Sequence, residues 1–531
     1  MVFNSYEFAI FFAILFIFYW LFHKNNNIRN IFLLLGSIYF YATFPGMGVS
    51  DGHNFDDSIN FHQIINLPLH ISLNGIDNIL ILDKTFHYLF VMYLLVLITF
   101  SYIMGILINV SKSNSAKQIL KTIGCAFLIF GLLYLRYSGL ILGDIPGLQQ
   151  WQASAFHLLA PVGISFYSFS CIGYLVDLAN DRIPIERNYL SYATYISFFP
   201  HLLIGPIPTA STILPQFSKK PTLTLKNADQ AIGEILWGLF KKMVVADNIN
   251  NMVKYCFDQY ADLNGSTLVL GVALFGLYLH ADFSGYSDIV KGLARLLGIE
   301  IINNFDKPFY SKSITEFWRR WHISMSSWFN THIFNPIVIK FRNWSNFAVF
   351  LGLFLTFAFA GIWHGANWKY LVFGVLHGLA VIIEHFTKKK RKKMYSKVPV
   401  FINTSISKFY VLIFLLFTWT FFRANNSTDA INILARICSP KLFETPLQLL
   451  LKTFVWCLPL VIIEFIQKKG TYTLDMQQWG ITNKFSNTNN DEIYINTINI
   501  SIKVVLYLLV SISIYLFCKK MNLAEYYYFK F

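Results

Sequence analysis

From Trp344 to Trp368 the chain carries no Asp, Glu, Lys or Arg, and Ala348 to Ala366 within that stretch is long enough to cross a membrane as a helix. About 18 residues without a charge cover the roughly 30 Å of bilayer hydrocarbon. Comparable apolar runs lie near Phe8 to Phe22, Ile31 to Phe44, Phe86 to Val110, Ile119 to Leu142, Phe156 to Leu178, Leu190 to Ile207 and Ala231 to Val245. Others lie near Ser266 to Tyr286, Leu371 to Phe386, Ser405 to Phe422, Leu449 to Phe465 and Ser501 to Cys518. The fold class predicted is an all-α polytopic membrane protein with about 11 to 13 transmembrane helices, plus interfacial or re-entrant ones.

Composition agrees with lipid as the main solvent. Only 13% of the 531 residues are charged, against about a quarter in soluble domains. The net charge of +15 sits in short loops, Lys24 to Arg29, Lys112 to Lys121, Lys219 to Lys226 and the run Lys388 to Lys393. That is the pattern of cytoplasmic loops under the positive-inside rule, so no nucleic-acid partner is inferred. Pro45 to Lys84 holds five aspartates and no basic residue before Lys84, and is read as an extracytoplasmic loop. The N-terminus is then outside, Lys388 to Lys393 inside, and the first apolar run an uncleaved span, since no basic residue precedes it. Lys468 to Thr497 is a second polar excursion. The six cysteines show neither disulfide nor metal spacing. Residues 1–531 are read as a single membrane domain.

The chemistry concentrates in a core region, residues 278–385. His280, Asp282, Ser284, Tyr286 and Asp288 end one apolar run. Ionisable groups at membrane depth are paired or functional, yet Asp282 and Asp288 serve equally well as caps for a following helix from Ile289 to Leu297. Ser313-Ile314-Thr315-Glu316 is a capping box that opens a helix with an aromatic face of Phe317, Trp318, Trp321, Met325 and Trp328. Too short and charged to span, this helix is placed at the interface, with His322 at the border of its apolar face. Periodicity alone favours polar trim for His322. His364 is different. It is the one strongly titratable side chain of its charge-free run, and Gly361 and Gly365 bracket it so that a neighbouring helix or a substrate can approach the backbone. A buried neutral imidazole suits deprotonation of a hydroxyl attacking a thioester. A serine elbow, a phosphate-binding P-loop and an H-E-x-x-H metal signature are all missing from the sequence.

Phe317-Trp318-Arg319-Arg320-Trp321-His322-Ile323-Ser324, followed by Gly361-Ile362-Trp363-His364-Gly365-Ala366, resembles the signature of the membrane-bound O-acyltransferases. Asp282-Phe283-Ser284-Gly285-Tyr286-Ser287-Asp288, Pro161-Val162-Gly163-Ile164-Ser165-Phe166, Phe199-Pro200, Gly205-Pro206-Ile207, Leu214-Pro215-Gln216 and Phe3-Asn4-Ser5-Tyr6 look like its bacterial alginate O-acetyltransferase branch. The resemblance implies a helical fold around a central tunnel in a bacterial cell membrane, with His364 as the catalytic and His322 as the second active-site histidine. Trp318, Arg319, Arg320, Trp321, Ser324, Trp363, Gly365, Asp282, Ser284, Tyr286 and Asp288 become substrate-binding or supporting candidates. It further implies no bound cofactor, acetyl-CoA or another acyl thioester as a donor entering from the cytoplasm, and an exported cell-envelope polysaccharide as acceptor, met directly or through an extracytoplasmic acetyltransferase partner. After Trp328 the sequence departs from the branch, reading Asn330-Thr331-His332 and Asn335-Pro336-Ile337-Val338. D-alanyl transfer to teichoic acid from a carrier-protein thioester is the enzymatic rival. A transporter or scaffold is the rival of another class, although no paired inverted segments appear.

Overall fold

The computed structural model describes residues 1–44, 76–137, 161–439, 447–466 and 504–517. Most of the Pro45 to Lys84 loop and all of Lys468 to Thr497 lie outside them. The described residues are helical with no strand. Among the described residues six helices are long and apolar enough to cross a membrane, Tyr88–Val110, Asn114–Tyr137, Gly265–Leu296, Asn346–Trp363, Trp368–Tyr395 and Val400–Arg423. Four shorter apolar helices accompany them, Tyr6–Leu21, Ile164–Ala179, Val455–Glu464 and Val504–Phe517. The chain is a multi-pass membrane protein, and it divides into two compact units.

The first unit comprises described residues of Met1–Thr222 with Leu297–Ile301. It contains α1 (Tyr6–Leu21), α2 (Asn26–Ala42), α3 (Ile76–Val110), α4 (Asn114–Leu132), α5 (Ile164–Ala179), α6 (Tyr189–Ser197), α7 (Phe199–Leu202) and α8 (Ala210–Ser218). Side-chain caps begin several of these helices: Ser5 Oγ accepts from Phe8 N, and Asn188 Oδ1 from Leu190 N and Ser191 N. Phe3, Phe8, Phe40 and Phe199 pack ring on ring to join α1, α2 and α7. The expected span from Leu190 to Ile207 is instead two short helices broken at Phe198, because Pro200 has no N–H to continue the ladder from α6. Gly163 precedes α5 at φ +79°, where a Cβ would meet Leu202 O at 2.6 Å. Only glycine fits that turn.

The second unit comprises described residues of Leu223–Leu296 and Ile302–Tyr527. It begins with α9 (Leu225–Leu239), which runs through a π-helical segment, Phe240–Ala246, into α10 (Asp247–Asp258). The long α11 (Gly265–Leu296) packs along all three. Two short helices follow, α12 (Ile314–Arg320) and α13 (Ile323–Phe329), then α14 (Asn335–Lys340). The unit is completed by α15 (Asn346–Trp363), α16 (Trp368–Tyr395), α17 (Val400–Arg423), α18 (Ser427–Ile437), α19 (Leu447–Ile466) and α20 (Val504–Phe517).

Helices α15 and α16 approach each other backbone to backbone. A Cβ at Gly361 would lie 2.4 Å from Tyr370 O, and one at Gly374 would lie 2.3 Å from Phe357 O. Small residues at such crossings let backbones meet, and dispersion between them replaces the hydrophobic effect that lipid cannot supply. Gly365 faces the Tyr370 ring, where a Cβ would lie 2.5 Å from Cε2. Both glycines beside His364 are thus packed against the adjoining helix.

Candidate active site

The expected continuous helix over Ile314 to Trp328 is interrupted. It stops at Arg320 and restarts at Ile323, with His322 at the break in the left-handed region, φ +47° and ψ +54°. No proline or glycine announces this, and a non-glycine residue held there stores strain of about 1–3 kcal/mol. The break changes where the side chain goes. His322 is fully buried rather than set at the border of an exposed face.

Asn304 holds the break in place. Its carbonyl oxygen accepts from Ile323 N at 2.9 Å. Its side-chain Oδ1 accepts from Ser324 N at 3.1 Å and Ser324 Oγ at 2.8 Å, and lies 3.3 Å from His322 Nδ1. Two positions further along the loop, Asp306 N donates to Arg320 O at 2.8 Å. The His322 ring sits edge-on between Phe283 of α11, centroids 4.8 Å apart, and Trp363 of α15, 5.7 Å apart. Burial and the neighbouring His364 imidazole both push His322 well below the usual histidine range.

His364 follows the last residue of α15, its N–H donating to Gly361 O at 3.0 Å. It is 3% exposed, and its ring is ringed by Trp363 at 5.1 Å, Phe422 at 5.0 Å and Phe373 at 6.0 Å. Trp363 therefore touches both imidazoles, and residues more than forty positions apart meet around one indole. This is the constellation the sequence motifs predict, brought together by the end of α15 and the break between α12 and α13.

The supporting helix α12 is anchored at both ends. Ser313 Oγ accepts from Glu316 N at 3.0 Å, the forward half of the expected capping box. Glu316 reaches Lys312 N at 2.8 Å rather than Ser313 N, and also binds Arg320 at 2.7 Å. A second acceptor comes from α16: the buried Glu384 carboxylate takes Ile314 N at 2.7 Å, Thr315 N at 2.9 Å and Thr315 Oγ1 at 2.6 Å. A carboxylate at a helix N-terminus meets the positive end of the peptide dipoles. Trp318 Nε1 donates to His377 Nδ1 at 3.1 Å, and His377 Nε2 lies 3.1 Å from Thr418 Oγ1. Because Thr418 Oγ1 gives its proton to the Phe414 or Leu415 carbonyl, His377 donates from Nε2 and accepts at Nδ1. Both its nitrogens are engaged, so His377 braces α12, α16 and α17. Trp321, 3% exposed, stacks on Phe317 at 5.4 Å.

The residues of α11 are placed differently. Asp282 and Asp288 lie within one uninterrupted helix, so neither caps a following one. Asp282 pairs with Lys242 at 2.8 Å, and Asp288 with Lys241 at 2.6 Å, while Lys241 also donates to Ser284 Oγ at 2.9 Å. Lys242 reaches Asp247 as well, at 2.9 Å. The four polar candidates Asp282, Ser284, Tyr286 and Asp288 are all buried. The first, second and fourth form an ion-pair network with the π-helical segment. From that stretch it is Phe283 that reaches His322. His280, at 2.5 Å from Glu464, likewise belongs to a buried pair.

A cavity of about 960 Å³ opens beside α12. Arg319, Arg320, Lys388 and Arg391 line it together with the carboxylates of Asp306, Glu316 and Glu384, Arg320 being paired with Glu316, and Met325, Phe357 and Ala360 add apolar surface, with Trp318 and Ile323 next to the histidine break. After Trp328 the divergent stretch forms a π-helical turn, Asn330–Phe334, in which His332 Nδ1 bonds Trp328 O at 3.0 Å.

Of these residues, sequence reasoning missed Asn304, His377, Glu384, Lys241 and Lys242. A signal existed for the lysines: two cations within an expected span need two anions at similar depth, and Asp282 and Asp288 supply them. Asn304 gave none, being one asparagine in a loop.

Residues 148–424, just over half of the chain and including both histidines, match the model of MBOAT, the membrane-bound O-acyltransferase family. The chain is 35% identical over 272 residues to the probable alginate O-acetylase of Pseudomonas aeruginosa, covering 51% of this chain and 50% of that protein. It is 29% identical over 386 residues to the peptidoglycan O-acetyltransferase of Helicobacter pylori, 67% of this chain and 72% of that protein. Similarity extends to the teichoic acid D-alanyltransferase of Bacillus subtilis, 29% over 260 residues, 46% of this chain and 63% of that one. The chain thus spans about half the length of the Pseudomonas relative. With the two histidine motifs meeting at Trp363 and the family match running across both, this chain belongs to the membrane-bound O-acyltransferase family.

Proposed function

We propose that the protein is an O-acyltransferase of a bacterial cell membrane that moves an acetyl group from a thioester, acetyl-CoA, to hydroxyls of an exported cell-envelope polysaccharide. The observation that carries this reading is the meeting of His322 and His364 around Trp363 in a buried, aromatic-walled site. In the reaction a histidine nitrogen takes the proton of the acceptor hydroxyl as its oxygen attacks the thioester carbonyl. The C–O bond forms, the C–S bond breaks, and the proton passes to the leaving thiolate. His364 is assigned as that base and His322 as its partner. Arg319, Lys388 and Arg391 on the cavity beside α12 suit the phosphates of the donor, and the positive-inside rule puts the adjoining run Lys388 to Lys393 in the cytoplasm. The acceptor is then reached from the other face, directly or through an extracytoplasmic acetyltransferase.

The test is ester-acetate content of the cell envelope in cells expressing the wild type or His364→Ala at equal levels. Loss of acetate in the variant supports the reading, and unchanged acetate refutes it. The D-alanyltransferase relatives favour one second reading, a carrier-protein thioester with D-alanine as the acyl group. Alanine in place of acetate among the released esters decides for it. A transporter or scaffold would show neither.

A further inference from the structure

The break that carries His322 is gripped by a single residue from both its main chain and its side chain. Asn304, 2% exposed, accepts from Ile323 N at 2.9 Å, Ser324 N at 3.1 Å and Ser324 Oγ at 2.8 Å, and its Oδ1 lies 3.3 Å from His322 Nδ1. Asparagine amides are ambiguous in orientation, but this one is not. A backbone N–H can only donate, so the atom facing Ser324 N must be the oxygen. That oxygen in turn faces His322 Nδ1 at 3.3 Å, and the other neighbour of Nδ1, Ser324 Oγ at 3.5 Å, gives its proton to the same oxygen at 2.8 Å, so the contacts favour the ring proton on Nδ1. In a neutral imidazole the lone pair is then on Nε2.

We propose that Asn304 is a positioning residue that fixes His322 as the Nδ1–H tautomer, so that Nε2 is the nitrogen presented to the reaction. This rests on the acyl-transfer reading above. Two further features support it. Phe283 and Trp363 flank the ring edge-on, which resists the rotation that would exchange the nitrogens. The strained backbone at His322 persists because Asn304 takes the donors of Ile323 and Ser324 just after the break while Asp306 N holds Arg320 O just before it, and strain held in this way recurs at sites of function. An amide acceptor rather than a carboxylate is also chemically apt. It orients the ring without drawing it into the imidazolium form, which cannot accept a proton.

The experiment compares the purified full chain with Asn304→Leu, Asn304→Asp, His322→Gln and His364→Ala, following thiol release from acetyl-CoA in the presence of de-acetylated envelope polysaccharide as hydroxyl acceptor across pH 5 to 9, alongside thermal unfolding. Asn304→Leu removes the acceptor at similar volume and is expected to lower kcat on the order of 10–100-fold with the KM for acetyl-CoA unchanged, the range for losing a partner that orients a working imidazole. Asn304→Asp keeps an oxygen against Nδ1 but adds a negative charge that stabilises the imidazolium. It is expected to recover much of the lost turnover at high pH while moving the acid limb of kcat to higher pH. A merely structural role predicts something else: both variants lose activity in step with folded fraction, with the limb unmoved. That result overturns the proposal, as does full turnover in Asn304→Leu. If wild type releases no thiol, or His364→Ala matches it, the acyl-transfer reading fails and the assignment of Asn304 goes with it.

Discussion

A single methyl group added at Gly361 should displace the end of α15, and His364 with it, without altering a polar atom of the site. A Cβ there would lie 2.4 Å from Tyr370 O and 2.8 Å from Gly374 Cα, main-chain atoms of α16 that no rotamer change can move. Ordinary contact begins near 3.4 Å, so the helices must part by about 1 Å. Overpacking of this kind costs about 1–3 kcal/mol. A shift of ~1 Å in reacting groups can lower a rate on the order of 10²-fold. Gly361→Ala is therefore expected to express and fold with a lowered unfolding temperature and to lose roughly 10–100-fold in kcat for thiol release from acetyl-CoA. Gly374→Ala, whose Cβ would meet Phe357 O at 2.3 Å, should behave alike. Gly352→Ala is the control on the same helix, since its contacts at 3.0 Å are to the side chains of Phe334 and Val338, which can move. It should stay within about threefold of wild type. Wild-type turnover in Gly361→Ala, or an equal loss in Gly352→Ala, would refute the reasoning.

Three other perturbations separate scaffold from chemistry. Glu384→Ala leaves two main-chain donors of α12 without their acceptor, and should destabilise the protein by ~1–3 kcal/mol, read as a drop in unfolding temperature with activity falling in parallel. Lys242→Met takes the shared cation from the buried Asp282 and the half-buried Asp247 and should cost about 3–5 kcal/mol, seen as poor yield of folded protein, with Asp282→Leu added to Lys242→Met restoring part of it. The depressed His322 gives a pH signature. Below its ordinary value near ~6.5 the unfolded chain binds a proton that the folded site refuses, so His322 lowers stability as pH falls by up to about 1.4 kcal/mol per unit, and has no effect above. Thermal unfolding of His322→Gln should lack that part of the slope, and identical slopes would show that His322 is not held neutral.

What the sequence could announce and what it could not divide along the range of the interactions involved. His364 is legible because its signal is local, an imidazole ending a charge-free run between two glycines. The forward half of the Ser313 cap is legible for the same reason. His322 is not, because its burial depends on a helix break with no proline or glycine, stabilised by Asn304 eighteen positions earlier. Periodicity treated Trp318 to Trp328 as one helix and so placed the ring at a border. Asp282 and Asp288 were ambiguous between cap and ion pair because their partners, Lys242 and Lys241, lie some forty residues upstream. The span expected over Leu190 to Ile207 shows the opposite error, hydropathy outvoting the proline that breaks it.

The central claim, that the buried histidine pair transfers an acyl group from a thioester to a hydroxyl, is tested most directly with purified protein in liposomes supplied with acetyl-CoA carrying a radiolabelled acetyl group and with de-acetylated envelope polysaccharide from the native host. Wild type should place base-labile label on the polysaccharide, and His364→Ala and His322→Gln should each reduce it on the order of 10²-fold or more while remaining folded. Labelling that persists undiminished in both folded variants would contradict the account.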